Sequence, residues 1–151
     1  MAISVDECAQ EVLEVVPLIM RAIRAEMRRH RGFDLSVPQF RTLAFLNHYQ
    51  GASLSDVAEF VGLTLPSMSK LMDGLVIRQL VKREISSSDR RCVTLALTPL
   101  GQATLQSAYE ATQTYLAQRL VRLPSQERAT VRQAMQILRP LFITSYETER
   151  E

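Results

Sequence analysis

The sequence contains few of the residues that metal centres and disulfide-bonded folds need. Its 151 residues include two cysteines, two histidines and no tryptophan. Cys8 and Cys92 allow at most one disulfide bond, and we expect both as free thiols. There is no CxxC motif, so we expect no structural zinc site and no metal ligand set. Five glycines and six prolines are too few for an interdomain linker, so we predict a single domain over residues 1–151.

Long apolar runs are also missing. No stretch of about 18 apolar residues occurs, which excludes a single apolar membrane-spanning helix. The first residues, including Asp6 and Glu7, are acidic where a secretory signal is basic. Apolar residues make up 46% and charged residues 23%, an ordinary globular composition. We therefore predict a cytoplasmic protein with no membrane partner.

The sequence shows no catalytic set. It lacks a glycine-rich phosphate loop and paired carboxylates in a glycine-flanked turn, and His30 and His48 stand in separate contexts. These absences argue against an enzyme and against a bound cofactor. The net charge of +2 conceals an asymmetry, since residues 21–91 hold twelve basic and seven acidic side chains.

What is present is helical periodicity interrupted once by strands. A first helix is predicted from Ser4, with a kink or a break near Leu13–Val16 because Pro17 follows. Further helices are predicted from Ser36, Ser53 and Thr64, two strands over 80–85 and 92–97, and two more helices after Thr98. We therefore predict a mainly α fold with a small β-hairpin: a winged helix-turn-helix over residues 36–97, with dimerisation helices in residues 4–32 and 99–145.

The spacing in residues 53–78 is typical of a helix-turn-helix. Ala58 allows two helices to cross closely, Gly62 follows four residues later at a turn, and Met68 is the first buried anchor of the next helix. That second helix, from Thr64, is the predicted DNA-reading element. Its outward candidates for DNA contact are Thr64, Ser67, Ser69 and Lys70.

The predicted hairpin supplies a second set of DNA candidates. Arg90 and Arg91 beside a serine-rich tip are suited to a minor groove, whose negative potential attracts arginine. Lys82 and Arg83 at its base are predicted to touch phosphates. Asp89, which lies beside Arg90 and Arg91, is predicted to orient one of them.

These residues resemble the MarR family of bacterial transcriptional regulators over nearly the whole chain. The matching segments are residues 35–40, Leu54–Ala58 with Gly62–Thr64, Met68–Leu75, Asp89–Arg91 and Leu97–Gly101. The resemblance implies a dimeric winged helix that binds a pseudo-palindromic DNA operator, usually as a repressor. By position, Ser67, Ser69 and Lys70 match recognition-helix contacts. Arg91 matches a wing arginine that enters the minor groove or pairs with Asp73.

The sequence departs from the family at two positions. Gln79 replaces the usual glycine after the recognition helix, so a non-glycine residue is expected there in the left-handed conformation. Ile77 stands where a charged residue is common and is expected to be exposed on the DNA side.

The trigger that releases DNA is left open by the residues. The resemblance implies a small aromatic or phenolic ligand, for which Arg24, Arg28, His30, Phe33 and Phe45 are the candidate lining residues. Thiol sensing through Cys8 or Cys92 is an alternative, as is a winged helix that binds proteins without specific DNA affinity. Glu26 and His30 share a helix face, but two ligands do not close a metal site.

Overall fold

The computed structural model describes residues 2–29, 34–85 and 93–143. In those residues it contains six helices and two strands: α1 Val5–Arg29, α2 Val37–His48, α3 Leu54–Val61, α4 Leu65–Ile77, β1 Val81–Ile85, β2 Val93–Leu97, α5 Pro99–Leu120 and α6 Ser125–Phe142. The predicted mainly α fold with one hairpin is confirmed.

Hydroxyl side chains start the three central helices at the predicted positions. Ser36 and Ser53 each accept a hydrogen bond from the backbone N–H three residues on, and Gln39 and Asp56 return the bond to the cap. Thr64 caps α4 in the same way by accepting from the Ser67 N–H. Each cap satisfies a backbone donor that the first helical turn leaves unpaired.

The first helix also begins with a capping box. The Glu7 carboxylate accepts from the Ser4 N–H, and this bond holds the pKa of Glu7 below its ordinary value. The helix continues through Pro17 to Arg29, so a break near Leu13–Val16 does not occur. An interior proline removes one backbone hydrogen bond and crowds the carbonyl four residues earlier, but the helix remains continuous on both sides of Pro17.

The hairpin pairs antiparallel, from Val81 opposite Leu97 to Ile85 opposite Val93. A third segment adds to it, because Ala52 forms an isolated antiparallel bridge with Leu95. This bridge ties the loop before α3 to the hairpin. The Leu95 side chain is buried, and so is Leu97 on the same strand face.

The turn from α4 into β1 is joined to the start of α5 by close contacts. Gln79 has a φ of 62°, which confirms the left-handed conformation expected there. The Thr98 hydroxyl donates to the Gln79 carbonyl and accepts from the Gly101 N–H. A Cβ on Gly101 would overlap the Leu80 carbonyl oxygen. Only glycine therefore lets the start of α5 lie this close to the backbone just before β1.

The core of the winged helix is built from α2, α3, α4 and the hairpin. Its fully buried side chains are Thr42, Leu43, Phe45, Leu46, Val57, Met68, Met72, Leu75, Val81 and Leu95. Arg41 joins α2 to α3 by donating to the carbonyls of Phe60 and Val61 at the end of α3. This arginine has a structural role that the sequence pattern did not reveal.

The chain divides into two compact units, residues 1–112 and 113–151. In the second unit, α6 contains no buried residue over its 18 positions. No single helix in the described residues is long and apolar enough to cross a membrane, and α3 with α4 passes that test only as a pair bent by 107°.

Candidate nucleic-acid interface

The α3–turn–α4 unit has the geometry of a helix-turn-helix. The two helices meet at 107°, and Gly62 closes the turn with a φ of 80°. Its N–H and that of Leu63 both donate to the Ala58 carbonyl. Ala58 is buried, so a larger side chain there would push the helices apart. The three predicted residues Ala58, Gly62 and Met68 thus set the crossing.

The helix α4 separates a buried face from an exposed one. Met68, Met72 and Leu75 point into the core. Pro66, Lys70, Asp73 and Ile77 recur every three or four residues on the opposite side, and all four are exposed. This regular stripe is the surface that α4 offers to a partner.

The first turn of α4 places hydroxyl groups near its N-terminus. Thr64 donates from its hydroxyl to the Ser67 hydroxyl over 3.0 Å, so the two predicted contact residues form one pair. Ser67 is exposed, whereas Ser69 is half-buried and offers less of its surface than the sequence suggested. The helix dipole and the hydroxyls together favour phosphate oxygens at this end.

The hairpin is linked to α4 by an ion pair. Arg83 of β1 contacts the Asp73 carboxylate of α4, and both side chains are about half exposed. Asp73 therefore pairs with Arg83 at the base of the wing. A DNA phosphate would have to compete with the Asp73 carboxylate for the predicted contact with Arg83. The ion pair sets the position of the hairpin beside the exposed stripe of α4.

Lys82, the neighbouring candidate, is also paired. Its Nζ lies 2.9 Å from a Glu84 oxygen on the same strand, and both side chains are exposed. Exposed pairs of this kind contribute little energy, so Lys82 remains available to a stronger anion. Asp89, Arg90, Arg91 and Cys92 lie outside the described residues.

A basic cavity lies between α1 and the start of α2. It has a volume of about 540 Å³ and is lined by Arg21, Arg24 and Arg28 together with apolar side chains that include Met27 and Leu35. The Nε groups of Arg24 and Arg28 donate to carbonyls one turn earlier in α1. Among the described residues no carboxylate forms an ion pair with these three arginines.

The cavity contains two of the predicted ligand residues and excludes a third. Arg24 and Arg28 line it, and Arg21 joins them although the sequence analysis did not single it out. The spacing of three and four residues among these arginines was the available signal. Phe45 is 2% exposed and stacks on Phe60 and Tyr49 in the core, away from this cavity. His30 and Phe33 lie outside the described residues.

Metal binding and thiol sensing concern other side chains in the part of the chain that is described. No cluster of three or more His, Cys, Asp or Glu side chains has the arrangement of metal ligands there. Cys8 is an exposed free cysteine near the start of α1.

A helix-turn-helix followed by a hairpin defines a winged-helix protein. Residues 35–93 match the model of the MarR family. A protein from Bacillus subtilis, the uncharacterized HTH-type transcriptional regulator YfiV, is 33% identical to this chain over 105 residues. These residues are 70% of this chain and 66% of the relative, so the chain spans just under two thirds of the relative's length. Over these residues the chain is similar to the MarR family and to a protein described as a transcriptional regulator.

Solved structures share the fold over most of the chain. The crystal structure of RV1404 from Mycobacterium tuberculosis superposes with a TM-score of 0.77 at 23% identity, covering 93% of this chain and 95% of that one. The transcriptional repressor CouR, bound to a 23-mer DNA duplex, superposes with a TM-score of 0.68 at 24% identity, covering 91% and 97%.

Proposed function

We propose that the protein is a homodimeric regulator that binds a pseudo-palindromic operator in double-stranded DNA and represses transcription. The observation that carries this proposal is the exposed stripe of α4, beside a hairpin held to the same helix by Arg83 and Asp73. The structural similarity to CouR, which is a repressor bound to a DNA duplex, supports both the DNA partner and the sign of regulation.

Specific DNA binding is tested with fluorescence anisotropy across a range of salt concentrations. The labelled duplex comes from the region upstream of the gene, and a scrambled duplex of the same composition is the control. We expect the upstream duplex to bind about 10³-fold more tightly or better, with log K falling linearly with log salt. Equal affinity for both duplexes contradicts sequence-specific binding to this region, and no binding at any salt favours the protein-interaction alternative.

Repression is tested separately from binding. Deleting the gene should raise expression of a reporter placed behind the bound upstream fragment, and restoring the gene should lower it. Lower expression after deletion would identify an activator that uses the same DNA contacts.

The proposal of a homodimer is supported by apolar helix faces that remain exposed in the single chain. In α1 only Met27 is buried among 25 residues. On this helix Leu13, Val16 and Ile19 are exposed. In the second unit, exposed Met135, Leu141 and Phe142 lie on α6. Exposed apolar side chains along a helix are typical of a protein–protein interface, and symmetric dimers are its commonest form.

We further propose that a small aromatic ligand with an anionic group releases the DNA. The cavity at α1 and α2 combines apolar walls with guanidinium groups of Arg24 and Arg28, which suit a carboxylate. A neighbouring cavity of about 700 Å³ shares Arg28 and reaches Arg78 at the end of α4. Arg78 donates to the Asp34 carbonyl over 2.8 Å, so an anion that attracts this arginine would disturb the end of the reading helix.

The ligand proposal is tested on the preformed protein–DNA complex. We expect benzoate to lower the anisotropy of the wild-type complex at concentrations where phenol does not. A double variant with Arg24→Gln and Arg28→Gln should lose this response to benzoate. Arg29→Gln is the matched control, because Arg29 lies on the same helix but pairs with Glu26 and does not line the cavity. If benzoate released DNA equally from the wild type, the double variant and Arg29→Gln, the proposed ligand site would be wrong.

A further inference from the structure

Large exposed aliphatic side chains have an uneven distribution in the winged helix. Within the described residues of 35–97 they are Leu65, Ile77, Ile85 and Val93. The first two lie on α4 and the last two face each other across the hairpin. Scattered exposed apolar side chains are ordinary on protein surfaces, but all four here lie on the two elements that the proposed function assigns to DNA.

Ile77 is the most exposed of the four, at 80%. It is the last residue of α4, and only about a fifth of its surface is covered by the rest of the chain. The end of a helix favours cations, because the helix dipole is negative there. Neither core packing nor helix stability therefore explains an isoleucine at this position.

The position of Ile77 on the helix points toward a partner of α4. It lies seven residues after Lys70 and four after Asp73 on the exposed stripe. A rise of about 1.5 Å per residue separates Ile77 from Lys70 by roughly 10 Å along the helix axis. The projection of this length on the axis of a DNA duplex is at most about three base-pair steps of 3.4 Å each.

We propose that Ile77 recognises the C5-methyl group of a thymine in the major groove of each operator half-site. The thymine methyl is the apolar group that base edges present in that groove, and apolar side chains recognise it by contact. The thymine is expected no more than about three base pairs from the position that Lys70 contacts. This inference rests on the proposed operator binding and adds to it a residue that determines sequence specificity.

The test removes the methyl group from the DNA without changing base pairing. A duplex is first selected from a random pool by the wild-type protein, and each thymine is then replaced in turn by deoxyuridine. For wild type we expect about fourfold weaker binding at one thymine in each half-site, the effect of losing one buried carbon group. Ile77→Ala should bind the thymine and deoxyuridine duplexes equally at that position, and Ile77→Val should keep most of the discrimination.

Controls separate methyl recognition from other effects. Leu100→Ala removes an exposed aliphatic side chain outside α4 and the hairpin, and it should keep the wild-type deoxyuridine profile. An effect of the methyl group on DNA shape would persist in Ile77→Ala, so an identical profile in wild type and Ile77→Ala overturns the assignment. If the wild type selects no sequence at all, operator binding fails, and the reading role of Ile77 fails with it. If the wild type selects a sequence but no deoxyuridine replacement weakens its binding, the operator proposal stands and only the role of Ile77 is overturned.

Discussion

At the scale of single residues, Gly101 has the least room for an added methyl group among the glycines that the structure describes. A Cβ there would overlap the backbone carbonyl of Leu80, which cannot rotate away like a flexible side chain. We expect Gly101→Ala to lower the free energy of unfolding by about 1–3 kcal/mol, as overpacking does. Urea denaturation measures this change.

Gly74 provides the matched control for that substitution. It lies within α4, and a Cβ on it would meet no atom within 4 Å. Gly74→Ala should therefore raise the free energy of unfolding by roughly 0.5–1 kcal/mol, because alanine favours the helix. Equal losses in the two variants would show that the close contact with Leu80 does not decide the outcome.

Gln79 carries a different kind of local cost. Its φ of 62° is a conformation that costs a residue with a Cβ roughly 1–2 kcal/mol. We expect Gln79→Gly to stabilise the fold by about 0.5–1 kcal/mol after the added freedom of the unfolded chain is subtracted. The backbone contacts of this residue, including its carbonyl bond from Thr98, do not depend on its side chain.

Thermal or urea denaturation measures the free energy of unfolding of Gln79→Gly, and Gln102→Gly is the control. Gln102 lies in α5 with helical geometry, so a glycine there should cost about 1 kcal/mol. A loss of stability in Gln79→Gly would mean that contacts of the Gln79 side chain outweigh the backbone cost.

At the scale of elements, the ion pair of Asp73 with Arg83 is the side-chain link between the reading helix and the wing. Because both side chains are about half exposed, a double-mutant cycle of Asp73→Ala and Arg83→Ala should give a coupling of only about 0.2–1 kcal/mol in stability. We expect each single variant also to weaken operator binding, and the double variant to lose less than the sum. Anisotropy and urea denaturation supply the two readouts.

The hydrogen-bonded pair of Gln106 with Glu110 is the control for this cycle. It lies within α5, outside α4 and the hairpin, so its cycle should show no coupling in operator affinity. Coupling of the same size in both cycles would remove the special role of the Asp73–Arg83 link.

The same elements show what a sequence can predict and what it cannot. The starts of α2, α3 and α4 were predictable because Ser36, Ser53 and Thr64 act on backbone groups within three residues. Two strands were predicted from the period-two pattern, and β1 and β2 lie inside the predicted ranges. The partner of Asp73 was not predictable, since Arg83 reaches it only after the hairpin folds beside α4. The cavity that unites Arg21, Arg24 and Arg28 likewise depends on where α2 starts, and the burial of Phe45 depends on Phe60 and Tyr49 around it.

At the scale of the whole molecule, the exposed apolar face of α1 leads to a prediction about assembly. Val16 lies on the side of the helix with Ile19, whereas Leu18 lies roughly opposite, at about 100° of rotation per residue. Val16→Glu would place a charge in the proposed dimer interface without a partner. Burying an unpaired charge is costly, so we expect the dimer Kd to rise by at least about a hundredfold, which corresponds to roughly 3 kcal/mol.

Sedimentation equilibrium over a range of protein concentrations measures that Kd, with Leu18→Glu as the control. Leu18 is as exposed an aliphatic residue as Val16, but its side of α1 also carries Glu14 and Arg21, where another charge is tolerated. Loss of the dimer should carry a second consequence, because two joined winged helices bind two half-sites far more tightly than one alone. Val16→Glu should therefore bind a full operator no better than a single half-site. A monomer that still favours the full operator would show that the contacts joining two bound copies lie outside this face of α1.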